Sequence, residues 1–472
     1  MRNDLIVEAS IIDGEYVVSE NFMDILSPYD YRYVGRVPLL AENHINQAIQ
    51  SSSIALKIWS QKTAKERSII LRAWYEAIVE NIDSLAIILT LEQGKPLLEA
   101  KTEIKYAASF IEWFAEEAKR IYGDIISSPI KDTKIIVTRQ PIGVCVAITP
   151  WNFPAAMITR KVGAALAAGC SMIVKPASKT PLTALALAKL ALEAGLPKGV
   201  FNVVTGKADL ISDIFCKSSV VKKISFTGST EIGKKLMAAS ADNLKRLSLE
   251  LGGNAPFIVL KDADLENAVK GLMAAKFRNA GQSCVASNRI FVHNDIHNKF
   301  VSLLGEAIKT IHYGNGLDYE VNQGPLIDNK SIVRTEELIE DAKKLGAKII
   351  VGGKRDGNCF MPTIITNIAS EMQIYQTEIF APVVSIIKFE TLDKLIQMAN
   401  DTQYGLAAYI YSENHKKAWE LADKLEVGMV AINQGILSLA EAPFGGIKES
   451  GFGREGSYLG IEEYLNVKYM LV

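Results

Sequence analysis

Between Pro141 and Gly253 the sequence alternates short apolar runs with helical segments, and few folds accommodate that alternation. The apolar runs are GVCVAIT, SMIVKP, VFNVVTG, KISFTG and RLSLEL, and helices are predicted over 154–168, 182–194, 208–216 and 230–240. The order is βαβαβαβαβ. Short apolar strands joined by helices predict a parallel sheet covered on both faces, and such sheets bind ligands beyond the carboxyl ends of their strands. Gly169 ends the first helix; the second reads as capped by Thr180, with Pro181 in its first turn, Gly195 after its last and Pro197 beyond.

A second α/β unit starts near Asn254 with PFIVL, a helix over 264–278, RIFVH over 289–293 and a helix over 296–311, and it runs to about residue 440. Upstream, residues 41–120 carry apolar positions at helical spacing, such as Ile45, Ala48 and Ile49, then Leu71, Trp74 and Ile78. The segment 124–140 reads as a β-hairpin turning near Pro129 and Asp132. Tyr464 to Leu471 alternates like an edge strand, and an edge that long predicts a homo-oligomer.

At 472 residues the chain has room for two or three packed units. Its net charge of −1 provides no field to hold a polyanion or an acidic membrane, so no nucleic-acid partner is expected. The charge-free run Val162–Val174 is shorter than the roughly 20 residues of a membrane span, so no membrane association is expected either. Asp4, Glu8, Asp13 and Glu15 interrupt the N-terminus where a secretory signal would be apolar, which predicts a cytoplasmic protein. The five cysteines, at 145, 170, 216, 284 and 359, fit neither a disulfide framework nor a metal knuckle.

Cys145 and Cys170 lie in apolar runs and read as inert core thiols, whereas Cys284 follows Phe277-Arg278-Asn279-Ala280-Gly281-Gln282-Ser283, a small-residue loop of the kind that presents a side chain. Cys284 is the candidate nucleophile. Its usual histidine base has no counterpart with catalytic context; His293 and His297 straddle a strand end and a helix start, and no metal site is expected. Glu250, at the end of an apolar strand before Gly252 and Gly253, is the alternative base, with a half-desolvated carboxyl and a raised pKa, although the same position would suit a helix cap or an ion pair. Phe226 to Gly233 runs a strand into a helix N-terminus, which is either a phosphate site or an ordinary junction capped by Ser229 or Thr230. Lys175 ends a strand of the same sheet, as a surface lysine or a cofactor contact. Gly451 to Gly456 matches G-x-G-x-x-G literally but follows no buried strand and leaves too little chain for a βαβ unit, so it reads as a glycine-rich turn.

Taken together, Thr149-Pro150-Trp151-Asn152-Phe153-Pro154, Lys175-Pro176-Ala177-Ser178, Phe226 to Gly233, Leu249 to Asn254, Gln282-Ser283-Cys284 and Pro443-Phe444-Gly445-Gly446 resemble the NAD(P)-dependent aldehyde dehydrogenase superfamily, in order and spacing, over roughly residues 10 to 470. Within it the chain resembles the succinate-semialdehyde dehydrogenases most, through Ala155 to Lys161 and Gly451 to Gly456. The resemblance implies an α/β fold with a Rossmann-type parallel-sheet cofactor domain (1–122 and 141–251), an α/β catalytic domain (252–440) and an oligomerisation β-flap (123–140 and 455–472) that builds a homodimer or homotetramer. It also implies that the cofactor lies on Trp151, Asn152, Lys175, Ser178, Gly228, Ser229 and Leu251, with Glu378 on the nicotinamide ribose and Phe380 lining the ring.

The implied reaction begins with attack of the Cys284 thiolate on an aldehyde, the oxyanion being held by the Asn152 amide and the Cys284 N–H; hydride transfer leaves a thioester, hydrolysed by water that Glu250 activates. Relatives that favour NAD tend to carry a carboxylate at the position of Ser178; its absence beside Lys175 points to NADP, with NAD possible. By the same resemblance Arg160, Arg278 and Ser438 hold the distal carboxylate of succinate semialdehyde, glutarate semialdehyde being the nearest alternative. Two departures stand out: Ala286 removes a second cysteine two residues after the nucleophile, and Ala381 replaces a usual glycine, which puts the local backbone in question.

Overall fold

The computed structural model describes residues 2–472 and contains two large sheets. In the first, β1 (Val144–Ile148), β2 (Ser171–Lys175), β3 (Phe201–Val203), β4 (Val221–Thr227) and β5 (Arg246–Glu250) are parallel and stand in the order β3-β2-β1-β4-β5. Chain order reverses between β1 and β4, so the loops after these two strands part and leave a crevice at the carboxyl end of the sheet. The edges are antiparallel, which the parallel-only reading did not include. Ser10–Ile12 and Glu15–Val17 close one side and Gly451–Phe452 the other, both brought in from distant parts of the chain.

The segment expected to be helical divides into α1 (Glu42–Trp59), α2 (Ala64–Glu80), α3 (Ile82–Gln93) and α4 (Leu97–Glu117). The crossovers of the sheet are α5 (Ala156–Ala168), α6 (Leu182–Glu193), α7 (Ala208–Lys217) and α8 (Thr230–Ala239). α5 is buried along its whole length, and Gly163 permits that: a Cβ there would lie 3.2 Å from Ile111 and Phe114 of α4. Gly169 and Gly195 end α5 and α6 in the left-handed region, as read. The cap of α6 differs from the reading. Thr180 makes no cap bond; the Glu92 carboxylate of α3 instead accepts from the N–H groups of Leu182 and Thr183 at 2.7 and 2.8 Å. A carboxyl that accepts from two free N–H groups satisfies more of the helix end than one hydroxyl would, and a partner 90 residues away leaves no local trace.

The second sheet has β6 (Ala255–Val259), β7 (Ser287–His293), β8 (Thr363–Thr366), β9 (Val383–Phe389), β10 (Ala407–Tyr411) and β11 (Met429–Ile432) in the parallel order β8-β9-β7-β6-β10-β11, with Lys348–Val351 antiparallel beside β8. α9 (Leu265–Phe277) connects β6 to the nucleophile loop and then β7. Asp124–Ser127, Lys134–Pro141 and Leu465–Leu471 form a third, three-stranded sheet whose outer side chains, such as Ile125 and Tyr469, are exposed. Asp132 at the hairpin turn has φ 61°, and Gly451, Gly453 and Gly456 all have positive φ, although Gly451–Phe452 pairs as an edge strand where a turn was expected. Among the described residues no helix is long and apolar enough to cross a membrane.

Candidate active site

At the carboxyl ends of β1 and β4 a cleft of about 190 Å³ is lined by Trp151, Asn152, Gly228, Ser229, Leu251, Glu378, Phe380 and Cys284, so seven of the nine residues expected to meet a cofactor share one cavity with the candidate nucleophile. Trp151 and Phe380 meet edge to face at 5.6 Å. Ser229 caps α8 by accepting from the Ile232 N–H, and Glu378 accepts from the Gly253 N–H at 3.2 Å. Burial pushes the Glu378 carboxyl up to about 8. Thr227 Oγ1, also in the lining, is buried without a hydrogen-bond partner. An unsatisfied hydroxyl, a helix N-terminus, a carboxylate and an aromatic pair in one groove fit the ribose, phosphate and ring of a nicotinamide dinucleotide. Lys175 and Ser178 lie outside this cavity, at the end of the neighbouring strand, where Lys175 Nζ reaches Ser178 Oγ at 3.4 Å and burial lowers the lysine to about 8. Phe380 itself takes the left-handed backbone (φ 54°); Ala381 is buried at ordinary φ, so the missing glycine there costs nothing.

The nucleophile loop is tightly held. Asn279, Ala280 and Gly281 have φ of 52°, 54° and 74°, a left-handed run that ends three residues before Cys284. Gly253 packs against it, since a Cβ there would sit 2.3 Å from the Cys284 carbonyl oxygen. Cys284 is half-buried rather than presented to solvent. Burial first, then the Glu378 and Glu250 charges, pushes its thiol up to about 12. Cys145 and Cys170 are fully buried, as expected of core thiols.

Glu250 is more enclosed than the half-desolvated carboxyl inferred from sequence: it is 3% exposed, and neither carboxyl oxygen has a hydrogen-bond partner. Burial and the nearby negative charge of Glu455 raise its pKa well above the ordinary carboxylate range. A Cβ on Gly445 would lie 2.6 Å from the Gly453 carbonyl oxygen and 2.8 Å from Glu250 Oε1, so the Phe444-Gly445-Gly446 turn needs its first glycine to pass between that backbone and the carboxyl.

A second cavity, of about 610 Å³, opens between one face of α4 (Leu98, Glu99, Thr102, Tyr106) and one face of α9 (Lys270, Met273, Ala274, Phe277), and Phe153, Arg278 and Ser438 line it. Arg278 lies over the Phe153 ring at 5.2 Å and, among the described residues, has no carboxylate within ion-pair distance. Arg160 departs from its expected place. It is absent from the lining and sits behind Tyr106, donating to the Tyr106 hydroxyl at 2.8 Å and pairing with Glu455 at 3.3 Å. Lys161 pairs with the same carboxylate and donates to Ser225 at 3.0 Å.

The profile of the aldehyde dehydrogenase family matches residues 16–470. The chain belongs to the aldehyde dehydrogenase family. It is 51% identical to a succinate-semialdehyde dehydrogenase (NADP+) of Escherichia coli (strain K12), covering 100% of this chain and 98% of that one, and 50% identical to a glutarate-semialdehyde dehydrogenase of Pseudomonas putida, covering 98% of each. Among solved structures, a succinate-semialdehyde dehydrogenase from Burkholderia pseudomallei superposes with a TM-score of 0.99 at 47% identity, covering 100% and 98% of the two chains.

Several residues of this aldehyde dehydrogenase site escaped the sequence reading. Glu455 falls inside the glycine-rich turn and was read only as part of it. Lys95 and Glu103 form a buried ion pair; Lys95 donates to the Asn152 carbonyl at 2.8 Å and Glu103 accepts from the Ala155 N–H at 2.9 Å, opening α5.

Proposed function

We propose that the protein oxidises succinate semialdehyde to succinate with NADP as acceptor, through Cys284 as nucleophile, Asn152 as oxyanion donor and Glu250 as base. The observation that carries the substrate assignment is the Arg278 guanidinium, which lies over the Phe153 ring without an ion pair among the described residues and shares its cavity wall with Ser438, Lys270 and Glu99. A planar five-donor cation with no bonded carboxylate suits a carboxylate at the far end of a short aldehyde. Arg160 supports this wall from behind through Tyr106.

Cys284, once ionised, adds to the aldehyde carbon, and the charge on the oxygen is taken by the Cys284 N–H and one Asn152 amide hydrogen. When bound, the nicotinamide dinucleotide supplies a positively charged acceptor for the hydride. Trp151, Gly228, Ser229, Leu251, Glu378 and Phe380 line the cleft that would hold it, and Lys175 with Ser178 would meet the adenosine ribose, a cation and an uncharged hydroxyl that admit a 2′-phosphate. Glu250, in its ionised form, then takes a proton from the water that cleaves the thioester, releasing succinate and the thiol; burial and the Glu455 charge make that carboxylate a stronger base than an exposed one. The unit built on the first sheet (1–122, 141–251), to which Gly451–Phe452 adds an edge strand, serves as the cofactor domain, 252–440 as the catalytic domain, and the exposed three-stranded sheet as the contact between copies of the chain.

The test is steady-state kinetics with succinate semialdehyde, glutarate semialdehyde and butanal, each with NADP and NAD. The reading requires the highest kcat/KM for succinate semialdehyde with NADP; a preference for butanal would overturn it.

A further inference from the structure

We propose that Asn279 is a positioning residue that fixes the oxyanion donor Asn152 to the nucleophile loop. The inference rests on the roles given above to Asn152 and Cys284.

Asn279 is 2% exposed and uses every hydrogen-bonding group it has. Its N–H donates to Glu99 Oε2 at 2.9 Å, and its carbonyl accepts from Gln282 Nε2 at 3.1 Å. Its side-chain oxygen accepts from Gln93 Nε2 at 3.0 Å, while Nδ2 donates to the carbonyls of Asn152 at 2.9 Å and Gln282 at 3.1 Å. The Gln282 carbonyl also accepts from the Asn152 side-chain amide at 3.1 Å. Asn279 therefore holds Asn152 twice, directly by its backbone carbonyl and indirectly through the acceptor that orients its side chain. One of the two Asn152 amide hydrogens is spent on Gln282, and the other has no protein acceptor among the described residues. That second hydrogen is the one left for an oxyanion, so its direction is set by a bridge that Asn279 completes.

The backbone explains why an asparagine stands here. At φ 52° and ψ 35° most side chains are strained, and asparagine and glycine are the residues that tolerate the region. Glycine would satisfy the backbone and abolish the amide bridge, which separates the two roles experimentally.

The experiment compares full-length wild type with Asn279→Gly and Asn279→Asp, measuring kcat per active site. Rates are referred to folded protein, quantified from the amplitude of its cooperative thermal unfolding transition, so a loss of folded protein does not register as a loss of rate. Geometric loosening of a catalytic group costs up to about 100-fold, so both variants should lose about 10- to 100-fold in kcat per site while KM stays within about threefold, for succinate semialdehyde and butanal alike. If Asn279→Gly retains kcat per site within about twofold of wild type, the amide bridge has no role and the proposal is wrong; this variant decides the matter even if Asn279→Asp does not fold. Wild-type turnover of butanal without turnover of succinate semialdehyde would overturn the substrate reading, while the Asn279 comparison would proceed on butanal.

Discussion

Replacing Glu455 by glutamine tests the buried charge cluster behind the active site. The carboxylate, 5% exposed, faces Lys161 and Arg160, which are 0% and 2% exposed. Burial alone would raise its pKa, yet the two cations hold it below the ordinary value, so it is charged at neutral pH. Glutamine preserves volume and one acceptor but leaves two buried cations with no anion bonded to them. Removing one partner of a buried pair costs about 3–5 kcal/mol. For 472 residues at about 2.1 cal/mol/K each, the unfolding entropy is about 1 kcal/mol/K, so the loss corresponds to an apparent Tm lower by about 3–5 °C at pH 7. Because the folded-state pKa is depressed, this stabilisation is complete above the normal carboxylate pKa and disappears as pH falls through the lowered value. The Tm gap between wild type and Glu455→Gln should therefore stay full from pH 8 to about 5 and start to close only below the ordinary carboxylate value of 4.5. Differential scanning fluorimetry from pH 4 to 8 measures it, with Asp213→Asn as the control, an exposed helical pair with Lys217 that should shift Tm by less than about 1 °C. A Glu455→Gln Tm within 1 °C of wild type at pH 7 would refute the argument.

Arg278→Ala should lower kcat/KM for succinate semialdehyde by about 150-fold, about 3 kcal/mol for a charge-assisted pair, and change butanal little; equal losses on both substrates would remove the carboxylate from Arg278. In the free enzyme the rate of Cys284 alkylation should keep rising about tenfold per pH unit from 8 to 10, because burial holds the thiol pKa near 12; a plateau below pH 9 would contradict the site's electrostatics. Gly253→Ala forces a Cβ against the Cys284 carbonyl, so kcat should fall at least about tenfold with cofactor affinity nearly retained, as read by turnover and by fluorescence titration with NADPH. Ser178→Glu places a carboxylate beside Lys175 and should shift the NADP/NAD ratio of kcat/KM by about tenfold or more toward NAD; an unchanged ratio would exclude Ser178 from cofactor selection.

The parts of the site that were legible in the sequence are those whose chemistry is local. A strand that ends in Lys175 and a strand feeding Ser229 into a helix each state their backbone geometry within a few residues, and the structure has both as read; the small-residue loop before Cys284 is also there, but it holds the thiol half-buried rather than presenting it. Glu378 and Phe380 entered only through resemblance, because a carboxylate and an aromatic in a loop carry no local pattern, yet both line the cleft. The charges that remained hidden are those whose partners are far away in the chain. Lys161 lies in an alanine-rich helix and Glu455 in a glycine-rich turn 294 residues later, and either would be solvated if the other were not opposite it. Thr180 and Glu92 show the same physics from the other side: the nearby hydroxyl suggested a cap, but a carboxylate that the fold delivers to the helix end binds two N–H groups and displaces it. A buried charge cannot be read from its own neighbours in sequence, since what makes burial tolerable is a counter-charge supplied by tertiary structure. Arg160, Lys161 and Glu455 are thus as much a product of the fold as the crevice they support, and Arg278 stands apart as an arginine that lines the cavity near Glu99 without forming an ion pair with it.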